Sequence, residues 1–587
     1  MPRSHAFGNG RLLVQIDHQG NLRDFSYPIG VFNHLSGRAV RTGVWADGAF
    51  AWLDGAGWQR THSTLSADPL IGQEIHSHAE LGIQLTIVEG LVPGENTFFR
   101  EITIDNSRDT PRAVRILFSH DFRLLESDIG DCAFFDPERG GIVHFKGPVA
   151  LLCWADGVDQ YACGITDFGG LEGTWRDCED GDLSMNPIAQ GSVDSSMRVS
   201  RRVEAHGAAR VLYRIIASDD LDRLASDPLP PAPSPQTERG SPDPAGAQVQ
   251  FALLHTQIAD TGAILAANDS DIMRNNRANY SYCWMRDGAH IGEILLEQGD
   301  EERVERFLTF CERCIGPRPY FLQKYRADGT MGATWHPWTV GIPFQQDETA
   351  SVVSLVCRTK PTEARWDRLV RKPLDFFLTY RDSRGLPLPS YDLWEERRGV
   401  HTHTVATVIR AFRDAHRLEP HAEWKEAADQ MTIGLLRHLY DENQNRFLRR
   451  EEDHTVDAAT LHVGLLGVVE VMDPRCQANA AAVEEALWVN SPVGGLARYE
   501  GDYYFRQTDA YPGNPWIITT LWLAQHHALS GDPDRARELL RWVQGHLHPT
   551  GVLPEQVHAE TGEPLSVMPL TWSHAEYLKT LSIVGAR

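Results

Sequence analysis

Two acidic segments stand out as places where paired carboxylates could transfer protons. Tyr391-Asp392-Leu393-Trp394-Glu395-Glu396-Arg397 sets adjacent acids beside a tryptophan, and Leu553-Pro554-Glu555-Gln556-Val557 presents another acid just before the last helical stretch. Adjacent carboxylates repel, and burial against an indole raises the pKa of one of them, as a general acid needs near neutral pH. Asn279-Tyr280-Ser281-Tyr282-Cys283-Trp284-Met285-Arg286-Asp287 adds an Arg–Asp pair at a helix start, and Arg498-Tyr499-Glu500 is followed by Gly513-Asn514-Pro515-Trp516. Taken singly, each reads equally as a solvated loop or an Asp near a helix N-terminus. Two carboxylates on different loops of one rim, with Arg, Asp and Trp nearby, meet the needs of glycoside hydrolysis. One acid protonates the leaving oxygen, and the other activates water or attacks the sugar.

The elements that must position these residues fall into two halves. Leu81, Ile83, Leu85 and Ile87 alternate with polar residues, and the runs 99–104 and 114–118 flank the turn cluster Asn106-Ser107-Arg108-Asp109 as an expected hairpin. Many short strands with Gly-rich turns predict a β-sandwich over residues 1–227. Seven of the seventeen residues from Pro228 to Pro244 are proline, so residues 228–250 read as an extended linker. From 251 to 587 the apolar period becomes helical, as in Val304, Phe307, Leu308 and Cys311, with Asp532-Pro533 as a cap and first turn. About twelve such stretches fit six helical hairpins closed into an α/α barrel, its loops at one end carrying the site.

The motifs Tyr-x-Trp-x-Arg-Asp, Trp-Glu-Glu, Arg-Tyr, Gly-Asn-Pro-Trp, Pro-Glu-Gln and Leu-Thr-Trp-Ser, in this order over about Leu254 to Leu581, resemble glycoside hydrolase family 15, which holds glucoamylases, glucodextranases and some microbial trehalases. The β-rich half resembles the sandwich that precedes the barrel in prokaryotic members. The resemblance implies a β-sandwich followed by an (α/α)6 barrel and hydrolysis of α-glucosidic bonds with inversion, releasing β-glucose from the non-reducing end. It implies Glu395 as general acid and Glu555 as general base. Arg286 and Asp287 would then bind the hydroxyls of the terminal glucose, Arg498 and Glu396 would complete the inner pocket, and Tyr282, Trp284 and Trp394 would supply stacking surfaces. Trp338 and Gln346 fall where the family places outer contacts; packing between helices and a loop hydrogen bond are the competing readings for them.

Composition narrows the partners. The 56 Lys+Arg against 80 Asp+Glu give a net charge of −24, unlike a polyanion-binding surface, so no nucleic acid is expected. The longest apolar stretch, near Val463–Met472, is too short for a membrane span. The first residues carry no apolar leader segment, and nine scattered cysteines suit reduced thiols in a cytoplasm. Cys311-Glu312-Arg313-Cys314 and His401-Thr402-His403 have no companion ligands at metal spacing, so no metal or other cofactor is expected. The expected partner is a short oligosaccharide with α-1,4 or α-1,6 linkages. A trehalase shares the same motifs. A disaccharide phosphorylase needs no catalytic base, which the carboxylate at Glu555 weighs against, and a non-catalytic sugar-binding protein would not need both Glu395 and Glu555.

Overall fold

The computed structural model describes residues 3–65, 68–166, 173–226, 243, 245–272, 279–332 and 344–585. The proline-rich segment thus lies almost wholly outside the described residues. Contacts divide the chain into two compact units, one of residues 1–257, 268–280 and 548–552, the other of 258–267, 281–547 and 553–587.

The first unit is built on two antiparallel sheets. One contains β1 (Arg3–Gly8), β2 (Leu13–Asp17), β3 (Leu22–Ser26), β4 (Val40–Ala46) and β5 (Ala49–Trp52). The other contains β6 (Trp58–Leu65), β7 (Asp68–His78), β8 (Ile83–Leu91) and β9 (Thr97–Asn106). Of the later strands, β10 (Arg112–His120) joins the first sheet, and the remaining strands from Asp131 to Ser218 divide between the two. The alternation expected around Ile83 holds: Ile83, Leu85 and Ile87 are buried and Gln84 is exposed. Their inward faces enter one apolar core with Ile102, Ile104, Val114, Ile116 and Phe118. Burying such faces, at about 25 cal/mol per Å² of apolar surface, is the main stabilising term for the unit.

One expectation is corrected. The runs 99–104 and 114–118 do not form a hairpin: β9 pairs with β8 and with Ala208–Ser218, while β10 pairs with β4 and with Val193–Val203. Both strands bury one apolar face, and placing them in opposite sheets lets those faces meet across the core rather than lie side by side. The turn cluster makes the crossover. Asn106 donates its side-chain amide to the carbonyls of Thr110 (2.9 Å) and Glu204 (3.0 Å).

Eleven helices of eight residues or more occur among the described residues. They are α1 (Ala247–His255), α2 (Met285–Glu297), α3 (Glu301–Ile315), α4 (Gln346–Cys357), α5 (Lys372–Thr379), α6 (Thr402–Leu418), α7 (Ala422–His438), α8 (Pro474–Leu487), α9 (Ile517–Leu529), α10 (Pro533–Gln544) and α11 (Thr571–Gly585). The caps follow from sequence: Asp300, Asp473 and Asp532 accept backbone N–H groups at the starts of α3, α8 and α10, the last two followed by proline. In the second unit α2 packs on α4, α4 on α6, α6 on the short helical stretch 458–465, that stretch on α9, α9 on α11, and α11 on α2. The packing sequence closes on itself. Helices α4 and α9 are buried along nearly their whole length, which suits a place between neighbours rather than an amphipathic surface position. All nine cysteines are free. Cys311 packs its sulfur against that of Met285 (3.7 Å), and burial pushes its thiol up. No helix among the described residues is long and apolar enough to cross a membrane.

Candidate active site

The functional motifs sit where extended segments turn into the helices of the closed sequence. Trp284, Gln345, His401 and Trp516 are the extended residues preceding α2, α4, α6 and α9, and Asp457 caps the stretch 458–461. Backbone bonds align these segments edge to edge. Cys283 exchanges hydrogen bonds with Tyr325 (2.8 and 2.9 Å), Ala458 donates to Arg498, Trp516 donates to Leu496, and Val557 donates to Pro515. This stitching brings residues far apart in sequence to the same ends of their helices, where free N–H groups and the helix dipoles favour carboxylates.

The loop from Tyr391 to Arg398 shows how locally the geometry is determined. Its ends pair as a two-rung ladder, Ser390 with Gly399 and Tyr391 with Arg398. Asp392 closes the turn, its Oδ1 accepting the N–H groups of Glu396 (2.8 Å) and Arg397 (3.0 Å) and its Oδ2 binding Arg449 (2.9 Å). Burial opposes its charge, yet His401, Arg449 and the backbone donors hold the Asp392 carboxyl below its usual range. The tight turn forces Glu395 to φ +65°, a left-handed conformation that costs a non-glycine residue roughly 1–2 kcal/mol. An acidic side chain kept at that position is a candidate for function.

The turn sends the two adjacent glutamates into different surroundings. Glu396 is locked by donors: Arg498 (3.0 Å), the Tyr499 hydroxyl (2.5 Å) and Arg397 (3.0 Å). Glu395 accepts one hydrogen bond, from the Gln323 amide (2.8 Å), and its other oxygen stands 3.9 Å from Arg286. Burial pushes its carboxyl up to about 7 against the opposing pull of Arg286 and Lys324, with Asp287 adding to the rise. Glu395 is therefore poised to hold a proton near neutral pH, while Glu396 is an acceptor fixed by three donors.

Arg286 anchors the floor. It donates to Asp287 (3.1 Å) and Asp347 (3.4 Å), stands 3.1 Å from Glu348, and gives its backbone N–H to the other oxygen of Glu348 (2.7 Å). Four carboxyls thus share one guanidinium, and burial moves those of Asp287, Asp347 and Glu348 up despite it. Lys324 lies over the rings of Tyr282 (4.6 Å) and Trp284 (5.1 Å), a cation–π pair of contacts, and burial lowers its ammonium to about 8 while Glu395 opposes the fall.

Around Arg498 a second cation centre forms. It pairs with Asp502 through two bonds (2.8 and 2.7 Å) and lies over the rings of Trp516 (4.5 Å) and Trp394 (5.1 Å). The Trp394 indole N–H is fixed by Asp457 (3.0 Å). Glu555, 4% exposed, accepts a long bond from the Gln556 amide (3.4 Å), and its backbone carbonyl caps α9 at Ile517. Burial pushes its carboxyl up to about 7, opposed by Ser566 and by the charge of Arg498.

Of the residues expected from sequence, Arg286, Asp287 and Glu395 form one cluster, and Trp394, Glu396 and Arg498 form another, with Glu555 within reach of the Arg498 charge. Tyr282 and Trp284 meet edge-on (6.2 Å) and join the first cluster through Lys324. Gln346 is buried and donates its amide to the Leu388 carbonyl (2.6 Å), a loop-fixing bond. Trp338 lies outside the described residues. Sequence reasoning passed over Gln323, Lys324, Asp347 and Glu348. The last two were legible as acids in the first turn of α4 immediately after Gln346; Gln323 and Lys324 sit in an aromatic stretch with no chemical pattern of its own.

Residues 341–532 and 533–582 match the family model described as glycosyl hydrolases family 15. Over 97% of both chains the protein is 24% identical to an uncharacterized glycosyl hydrolase of Methanocaldococcus jannaschii. Trehalase 2 of Sulfolobus acidocaldarius is 26% identical over about half of each chain (51% of this one, 55% of the relative). Among solved structures, a bacterial glucoamylase complexed with acarbose superposes with a TM-score of 0.81 over 99% of this chain and 94% of its own, at 15% identity, which speaks to the fold. Fold and family match together define a glycoside hydrolase. Residues 341–582 carry the match to glycosyl hydrolases family 15, and the whole chain resembles a glycosyl hydrolase relative.

Proposed function

We propose that the protein is an inverting, exo-acting α-glucosidase that releases β-glucose from the non-reducing ends of short α-1,4- or α-1,6-linked gluco-oligosaccharides in the cytoplasm. The observation that carries this reading is the pair of buried carboxyls, Glu395 and Glu555, on different loops, each pushed up to about 7 and neither consumed by an ion pair closer than 3.9 Å. In this reading the helices of the second unit form an (α/α)6 barrel, supported by the closed sequence of helix packing. Glu395 protonates the glycosidic oxygen as the bond breaks. Glu555 takes a proton from the water that attacks the opposite face of the anomeric carbon. Arg286, Asp287, Glu396 and Arg498 hold the hydroxyls of the terminal glucose, and Tyr282, Trp284 and Trp394 form its apolar walls. Glu396 suits hydroxyl binding rather than proton transfer because three donors already fix its carboxylate.

α,α-Trehalose is the second substrate to weigh, favoured by the similarity to an archaeal trehalase. Initial rates on maltose, isomaltose, maltotriose and trehalose decide between the two. Hydrolysis of maltose or isomaltose well above trehalose supports the glucosidase, trehalose alone transfers the same chemistry to the 1,1-linkage, and inactivity on all four defeats both.

The free-enzyme carboxyls also set the pH dependence. With Glu395 required protonated and Glu555 required ionised, kcat/KM should describe a narrow bell centred near pH 7, falling about tenfold per pH unit on each side. Lys324 favours the ionised form of Glu395, so Lys324→Met raises that carboxyl further. The alkaline limb, which reports loss of the acid's proton, should move to higher pH while the acid limb stays. An unmoved alkaline limb would remove Lys324 from the account.

A further inference from the structure

The first unit holds a second cluster of ionisable side chains, unrelated to sugar chemistry. β6 and β7 are neighbours in register, and His62 and Glu74 are direct partners across them, which puts both side chains on one face. β1 belongs to the opposite sheet and sends His5 to the same point. The Glu74 Oε1 atom stands 3.1 Å from His62 Nδ1 and 3.5 Å from His5 Nε2, and all three ligand atoms lie within 4.8 Å of one another. Nitrogen and oxygen ligands at tetrahedral Zn²⁺, about 2.0–2.2 Å from the ion, stand roughly 3.3–3.5 Å apart. The two separations to Glu74 Oε1 already fall close to that range.

The surroundings are arranged as outer partners of such a site. His62 Nε2 faces the carbonyl oxygen of His18 (3.1 Å) and so carries its hydrogen there. That leaves the Nδ1 lone pair of a neutral His62 pointing at a carboxylate oxygen, which requires a proton or a cation between them. His76 Nε2 binds the other Glu74 oxygen (2.7 Å), orienting the carboxylate and leaving Oε1 for the centre. His5 Nε2 is fully buried, aimed at the same oxygen, and has no hydrogen-bond partner among the described residues. Two glycines clear the space: a Cβ at Gly20 (φ +84°) would come 3.0 Å from Glu74 Oε2, and one at Gly72 would come 2.7 Å from the His5 ring. The His548 ring stands 5.6 Å from that of His62, and the His62 side chain is 10% exposed, which leaves a route for an ion.

We propose that His5, His62 and Glu74 bind one divalent transition-metal ion, Zn²⁺ by its ligand set, which ties β1 to the β6–β7 pair and leaves its fourth position to water. Binding displaces the proton between His62 and Glu74 to solvent. The test uses the full chain, stripped with a chelator, equilibrated with ZnSO₄ and desalted, with zinc per chain read by mass spectrometry. About one zinc per chain is expected for the wild type and less than one tenth for His62→Gln and for Glu74→Gln, with the glucosidase rate of His62→Gln unchanged. Co²⁺ added to the stripped wild type needs no variant; it should show the visible absorption of a four-coordinate imidazole-bound ion and should raise the melting temperature. Zinc absent from the wild type, zinc retained equally by both variants, or Co²⁺ without that absorption would each overturn the proposal.

Discussion

Glu395→Gln is expected to lower kcat on a natural disaccharide by about 10²–10⁴-fold, with KM little changed, because it removes the proposed acid's proton, needed only as the bond breaks. The substitution preserves size and the contact with Gln323, which can turn its amide to suit, so the left-handed turn at Glu395 and the Asp392 bonds that close it remain. α-Glucosyl fluoride separates an acid from a structural residue, since fluoride leaves without full protonation. The variant should keep most of the wild-type rate on it. An equal loss on both substrates would mean that Glu395 shapes the site rather than donating its proton. Glu396→Gln should behave differently, raising KM more than it lowers kcat, because that carboxylate is a fixed acceptor among Arg498, Tyr499 and Arg397.

The second large effect is expected at Glu555. Glu555→Ala removes the proposed base and leaves room behind the anomeric carbon, so hydrolysis should fall by about 10²–10⁴-fold even on α-glucosyl fluoride. An anion that needs no deprotonation can take the place of water. Azide should restore turnover in Glu555→Ala and yield β-glucosyl azide, while it leaves the Glu395→Gln defect on disaccharides unrepaired. The fold should tolerate the change, because the backbone groups of Glu555, bonded to Val567 and Ile517, stay in place. Failure of azide to rescue a folded Glu555→Ala would point to another base.

What was readable in advance depended on whether a residue's role was local. Trp394-Glu395-Glu396 and Pro554-Glu555-Gln556 could be found because acids beside aromatic and turn residues just before helices form a pattern within a few positions. The family resemblance told Glu395 from Glu396, but the residue pattern alone could not: the physical difference lies with Arg498 and Tyr499, 102 and 103 residues on, which bind one carboxylate and leave the other buried with a single amide. Lys324 was silent for the same reason: its meaning lies in the backbone pairing of Cys283 with Tyr325, which carries it over Tyr282 and Trp284. The alternating strands were equally legible, but β9 and β10 show the limit. Period two reports which face is buried and says nothing of which strand lies alongside, so a crossover between sheets reads like a hairpin. Asp347 and Glu348 pair with Arg286 only because α2 and α4 start side by side.

These assignments share one consequence for the product. If Glu555 activates water on the face opposite the leaving group that Glu395 protonates, the glucose first released carries the β configuration. Proton NMR of the anomeric signals in the first minutes of hydrolysis, before mutarotation equilibrates them, tests this directly. The account predicts that the β-anomer appears first and the α-anomer grows in at the mutarotation rate; α-glucose as the first product would contradict it.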